Sequence, residues 1–158
     1  MAAEPFPAVE APAPFVVARH RRAELQAGMV ALERALAVPA AEAGWADRLR
    51  RQVDELRRAF AHHVTATEGP DGMYADILLN APRLSHRVNR LAGEHAEATA
   101  AIDALVKLVA DAPDDLDQAW VDRVRDEATT LVASLERHRQ RGADLVWEAY
   151  HLDIGGCD

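Results

Sequence analysis

The stretch LRRQVDELRRAFAHHVTATEGP, residues 49–70, decides the fold. Leu49, Val53, Leu56 and Phe60 recur at steps of four, three and four, the spacing that places side chains on one face of an α-helix. Apart from Ala59, every residue between them is charged or amide-bearing, so only that one face suits burial. The cluster Gly69-Pro70-Asp71-Gly72 then breaks the helix. One step beyond Phe60 the stripe meets an imidazole, His63.

The same period recurs along the chain. A first helix is expected from Phe15 to Val38 on Leu25, Met29, Leu32 and Leu36, stopped by Pro39. The second spans Ala41 to Thr67, and a short helical connector, Met73 to Asn80, follows it. The third covers Ala81 to Ala110 with Leu84, Val88, Leu91, Ile102 and Leu105 inward. The fourth covers Asp115 to Leu152 with Trp120, Val124, Leu131, Leu135, Leu145 and Leu152 inward. Four amphipathic helices with short connections predict an all-α fold, an antiparallel up-down four-helix bundle over residues 15–153. Residues 1–14, rich in proline and alanine and lacking any apolar period, read as a disordered N-terminal arm, and residues 154–158 as a C-terminal tail.

Composition agrees with this reading and narrows the function. A chain of 158 residues is the size of one domain, and 49% hydrophobic with 5% aromatic residues is a helical rather than a sheet composition. The formal charge of −8 argues against nucleic acid or an anionic membrane as partner. Arg19, Arg21 and Arg22, clustered around His20, read as a solvated helix face. No apolar run approaches the ~20 residues of a membrane span, and the single cysteine, Cys157, has no partner for an internal disulfide. A cytoplasmic protein is expected.

Extending the stripes by one step reaches a histidine on three different helices: His63 three after Phe60, His95 four after Leu91, and His138 three after Leu135. A buried imidazole must find a hydrogen-bond partner or coordinate a metal. Imidazole suits iron, zinc and copper, and a bundle core lets facing helices supply ligands from several sides. Whether the three meet depends on the connector, which must make up an offset of ~12 Å between the levels of His63 and His95. His62 and His86 lie beside their stripes and His151 faces away from Leu145 and Leu152, so these read as surface residues. Glu94 is placed either to orient a ligand or to pair with Arg22 or Arg90, and Tyr74 to cap the cavity or fill core.

The segments Phe60-Ala61-His62-His63-Val64-Thr65-Ala66-Thr67-Glu68, Arg90-Leu91-Ala92-Gly93-Glu94-His95 and Leu135-Glu136-Arg137-His138 resemble the hemerythrin-like (HHE cation-binding) family over residues 15–153. The resemblance implies a non-heme iron centre in a four-helix bundle, used for oxygen binding or for sensing oxygen, iron or nitric oxide. It implies His63, His95 and His138 as metal ligands, Glu68 as the carboxylate, and His20 as the first-helix candidate.

The departures from the family pattern are specific. The position four after His63 is Thr67, and Glu68 lies about 140° round the helix from His63. The positions four and five after His138 are Gly142 and Ala143, with Asp144 one step late, and Thr99 stands four after His95. His20 falls nearly opposite the Leu25 stripe, whereas Arg22 faces the core better and brings a positive charge. A mononuclear or partly vacant site is therefore expected rather than a di-iron pair, with iron first, zinc as a second choice and a metal-free site as the third.

No catalytic motif accompanies these residues. Only Glu148 and His151 have the Glu-x-x-His spacing of ferritin-like carboxylate proteins, and they lie off the stripe. No His-Glu-x-x-His or phosphate-binding loop is present in the sequence. Catalytic turnover is not expected. The expected partners are a metal ion and a diatomic gas, with room left for a protein partner or a homodimer; the rival reading is a metal-free bundle serving as an interaction or structural module.

Overall fold

The computed structural model describes residues 11–151; residues 1–10 of the arm expected over 1–14, Leu152 at the expected end of the fourth helix, and the tail at 154–158 lie outside the described residues. Five α-helices follow in order: α1 (Ala13–Ala37), α2 (Trp45–Glu68), α3 (Met73–Asn80), α4 (Ser85–Ala110) and α5 (Gln118–His151). A 3-10 turn, Pro82–Leu84, leads into α4. Among the described residues there is no strand, and no helix is long and apolar enough to cross a membrane.

Local chemistry explains where the boundaries depart from those expected. Helix α1 begins at Ala13, earlier than Phe15, because Pro14 is tolerated in a first turn, where its missing N–H is not needed. Helix α2 begins at Trp45, not Ala41, because Gly44 takes the left-handed conformation, φ 73°, and ends the preceding loop. Helix α4 begins at Ser85, not Ala81, because Ala81 precedes Pro82 and is held out of the helical region at φ −138°, ψ 66°. Helix α5 begins after Asp117, whose Oδ1 accepts from the Trp120 amide at 2.7 Å and so caps the helix.

The interior divides into two apolar clusters with a polar layer between them. The larger contains Leu25, Leu32, Trp45, Leu56, Phe60, Ile102, Leu105, Val124 and Leu135; the smaller contains Ala18, Tyr74, Ile77, Leu84, Leu91, Leu145 and Ala149. Helix direction follows from this partition. Chain order runs from the small cluster to the large one along α1 and α4, and away from the large one along α2 and α5, so neighbours in sequence are antiparallel. Helix α2 ends at the polar layer, and α3 takes its place in the small cluster with Met73, Tyr74 and Ile77. At the layer itself stand His63 between Phe60 and Thr67, His95 between Leu91 and Ala98, and His138 between Leu135 and Leu145. On α1 the residue at that level, between Ala18 and Leu25, is Arg22.

Truncating either face separates core from surface. Leu32, fully buried in the large cluster, should lose about 2–5 kcal/mol of stability on Leu32→Ala. Leu79→Ser, at a position 82% exposed on α3, should change it by less than about 0.5 kcal/mol. Urea denaturation at neutral pH measures both, and equal effects would mean that the bundle core is misassigned.

Candidate metal centre

His63, His95 and His138 are brought together by α2, α4 and α5, each only 2–5% exposed. Their Nε2 atoms form a triangle with edges of 3.2 Å (His63 to His138), 3.2 Å (His63 to His95) and 3.0 Å (His95 to His138). The offset that the sequence left open is closed by α3 and the Pro82–Leu84 turn, which consume the chain between α2 and Ser85. Among the described residues these three form the one group of histidine, cysteine and acidic side chains with ligand atoms close enough for a shared ion.

The far side of each ring decides which nitrogen carries a proton. His138 Nδ1 lies 2.9 Å from Glu94 Oε2, and His95 Nδ1 contacts the Glu68 carboxylate. A carboxylate in that position accepts, so in the neutral rings the hydrogen sits on Nδ1 and the Nε2 lone pair points inward. His63 Nδ1 is buried without a partner, so His63 is free to carry its hydrogen on Nε2. Even then a single N–H serves the whole triangle, and its shortest edge sets two lone pairs against each other at 3.0 Å. A cation removes that conflict. Three nitrogens bound to one ion at ~2.0–2.1 Å in tetrahedral directions stand ~3.3–3.4 Å apart, within a few tenths of an ångström of the observed edges.

Protonation is the weaker solution. Burial lowers His63 to about 3, with His95 and His138 adding repulsion, and burial with the neighbouring His138 lowers His95 to about 3. For His95, loss of hydration and His138 outweigh the opposing pull of the Glu94 carboxylate. Burial also lowers His138, against the opposing pull of Glu94. Burial pushes the Glu94 carboxyl up, but hydrogen bonds from His138 and Arg141 outweigh it and hold the group below its ordinary value. Glu94 Oε1 sits 2.7 Å from Arg141 Nε and 3.4 Å from Arg90 Nε. Burial raises Glu68.

Aromatic rings wall the triangle. Tyr74 stacks on His95 with centroids 5.8 Å apart and planes 9° apart, and Phe60 lies 6.0 Å from His63 and 5.8 Å from His95. Tyr74 therefore belongs both to the small cluster and to the site.

Other candidates are placed differently from the sequence expectation. Glu68 stands at His95 Nδ1, behind the ring, and not in the triangle. His20 is on the surface, its side chain 69% exposed and 3.2 Å from Glu24, apart from the three histidines because it lies off the inward stripe of α1. Thr67, four after His63, is buried with its hydroxyl directed to His63 O at 2.9 Å and Val64 O at 3.1 Å. Thr99 likewise bonds back to His95 O at 2.8 Å. Glu94 orients His138, a ring on another helix, and its arginine partners are Arg141 and Arg90. Sequence reasoning passed over Arg139 and Arg141. Their proximity to the layer was detectable only as positions one and three after His138, a weak signal on a helix rich in arginine.

The model of the hemerythrin HHE cation binding domain matches residues 11–142, which include all three histidines. The chain belongs to the hemerythrin HHE cation-binding family. No curated protein and no solved structure matches it. Within this family member the matched region contains the whole polar layer, Arg22 included, and family membership together with the histidine triangle points to metal binding.

The buried imidazoles make stability depend on pH. Their folded pKa values lie below the ordinary value, so the folded state binds fewer protons than the unfolded chain. The stability they contribute is complete above ~6.5 and is lost as pH falls from there toward about 3. Each ring contributes a slope of up to about 1.4 kcal/mol per pH unit. Urea midpoints of the metal-free protein should fall steeply below the ordinary histidine value and less steeply in His95→Leu. Identical profiles for parent and variant would contradict the neutral buried ring.

Proposed function

We propose that this chain is a hemerythrin-family protein that holds one metal ion on His63, His95 and His138, non-heme iron in preference to zinc, and uses it in the cytoplasm to bind or sense oxygen, nitric oxide or iron itself. The observation that carries this reading is the Nε2 triangle, in which Glu68 and Glu94 turn two lone pairs toward each other across 3.0 Å. His63, His95 and His138 would hold the ion, which as ferrous iron would supply a redox-sensitive point of attachment for a diatomic gas. The protein supplies the rest. His63, His95 and His138 donate neutral nitrogens; Glu68 and Glu94 are positioning residues that keep the Nδ1 protons in place and raise the basicity of Nε2. Phe60 and Tyr74 exclude water from two sides.

A single ion follows from what surrounds the triangle. Thr67 and Gly142 stand where bridging carboxylates would be needed, and Arg22 stands where a first-helix histidine would be. His20, on the surface, takes no part in this reading, and Glu68 acts through His95.

Metal analysis of protein prepared without chelator or nickel affinity should give about one iron or zinc per chain. His63→Ala, His95→Ala and His138→Ala should each lower that content, and Glu68→Gln or Glu94→Gln should weaken affinity about 10–100-fold in a chelator competition. Content unchanged in all three alanine variants would end the metal-site reading.

The missing ligands can also be restored. A Cβ at Gly142 meets nothing within 4 Å, so a larger side chain has room there. The double variant Arg22→His, Gly142→Glu should take up a second iron and develop visible ligand-to-metal absorption in air, while the parent lacks a di-iron spectrum. A full di-iron spectrum in the parent would overturn the one-ion assignment.

A further inference from the structure

A groove lies on the α1–α5 seam. Arg19, Arg22, Ala23, Gln26 and Arg139 line its volume of about 370 Å³. Three arginines and no carboxylate face this space, although the chain as a whole carries a net charge of −8. Two of the guanidiniums, Arg19 and Arg22, have no carboxylate partner among the described residues, and the third is only partly satisfied. Arg22 reaches only the carbonyl oxygen of Arg139, at 3.4 Å. Arg139 gives its Nη1 to Glu136, at 2.8 and 3.0 Å, while its Nε is buried without a partner. Gln26 Oε1 is also buried without a partner, and its amide has two ends to offer.

Such donors could have been placed in solvent at no cost. Instead, Arg22 sits at the level of the histidine layer, partly buried, where loss of hydration and the adjacent Arg139 both disfavour its charge. Glu136 meets Arg139 on one side only, and no carboxylate among the described residues meets Arg22, so the pair leaves positive charge facing the groove; guanidinium forks match the paired oxygens of a planar or tetrahedral oxyanion. We infer that the α1–α5 groove binds a small multivalent oxyanion of the inorganic phosphate class, held by Arg22 and Arg139 with Arg19 at the mouth. Arg22 is thus a binding residue and not merely a lost metal ligand. The anion lies on the α1 flank of His63 and His138, both of which feel the positive charge of Arg22. It offsets that charge whether or not the histidines hold an ion, so the inference stands apart from the metal reading.

The test is a titration of the full chain with inorganic phosphate at constant ionic strength, chloride being exchanged for phosphate, followed by the arginine Nε–Hε resonances. Saturable shifts are expected at Arg22 and Arg139 and not at Arg87, which is paired with Glu148 at 2.5 Å elsewhere on the surface. Arg22→Gln should weaken phosphate binding about tenfold or more, the change expected when one charge-assisted partner is lost. The parent spectra decide the matter even if the variant folds poorly. No saturable shift at Arg22 and Arg139, shifts of equal size at Arg87, or unchanged affinity in a folded Arg22→Gln would overturn the site.

Discussion

The structure turns on the burial of three imidazoles at one level of a four-helix bundle. An apolar side chain at any of these positions would have satisfied the helical stripe and joined the two clusters into one continuous core. Instead, His63, His95 and His138 interrupt it at 2–5% exposure, where an unpaired polar group is costly. Two inward lone pairs 3.0 Å apart call for a shared proton or cation between them. That requirement, more than the sum of the apolar contacts, relates the sequence of this chain to its chemistry.

The surrounding polar groups answer the same requirement. Glu68 and Glu94 do not approach the centre from the side on which a bridging ligand would stand; they reach the far nitrogens of His95 and His138 and set the direction in which the lone pairs point. Glu94 is in turn held by Arg141 and Arg90, so its charge is spent on orientation and on a surface ion pair together. His63 lacks such a partner at Nδ1, which leaves it the ring with freedom to change tautomer. The three rings are therefore not equivalent, and the asymmetry is built into helices α2, α4 and α5 by which neighbour carries an acid.

On the α1 side the layer is completed by a cation. Arg22 beside three neutral imidazoles disfavours any cation on its own flank, and its proximity to Arg139 concentrates positive charge on one side of an acidic protein. Arg22 thus gives the α1 flank of the layer a positive field, which lowers the pKa of His63 and His138. A cluster of inward-facing imidazole nitrogens and a cluster of arginines thus adjoin at a single helical level.

The sequence by itself determined the helices, the antiparallel order and the inward direction of the three histidines, because a 3.6-residue period is a local property and turns such as Gly69-Pro70 and Pro39 end each run. It also made the absence of carboxylates at Thr67 and Gly142 legible. Boundaries moved by a few residues where one backbone conformation decided them, as at Gly44 and Ala81. Periodicity could not place residues on different helices at one height, since that depends on how much chain α3 and the Pro82–Leu84 turn consume. Nor could it pair acids with rings: Glu94, adjacent in sequence to His95, serves His138, and Glu68, at the end of α2, serves His95. Those pairings cross from one helix to another, and only the packing of the bundle decides which side chains on facing helices come within hydrogen-bond distance.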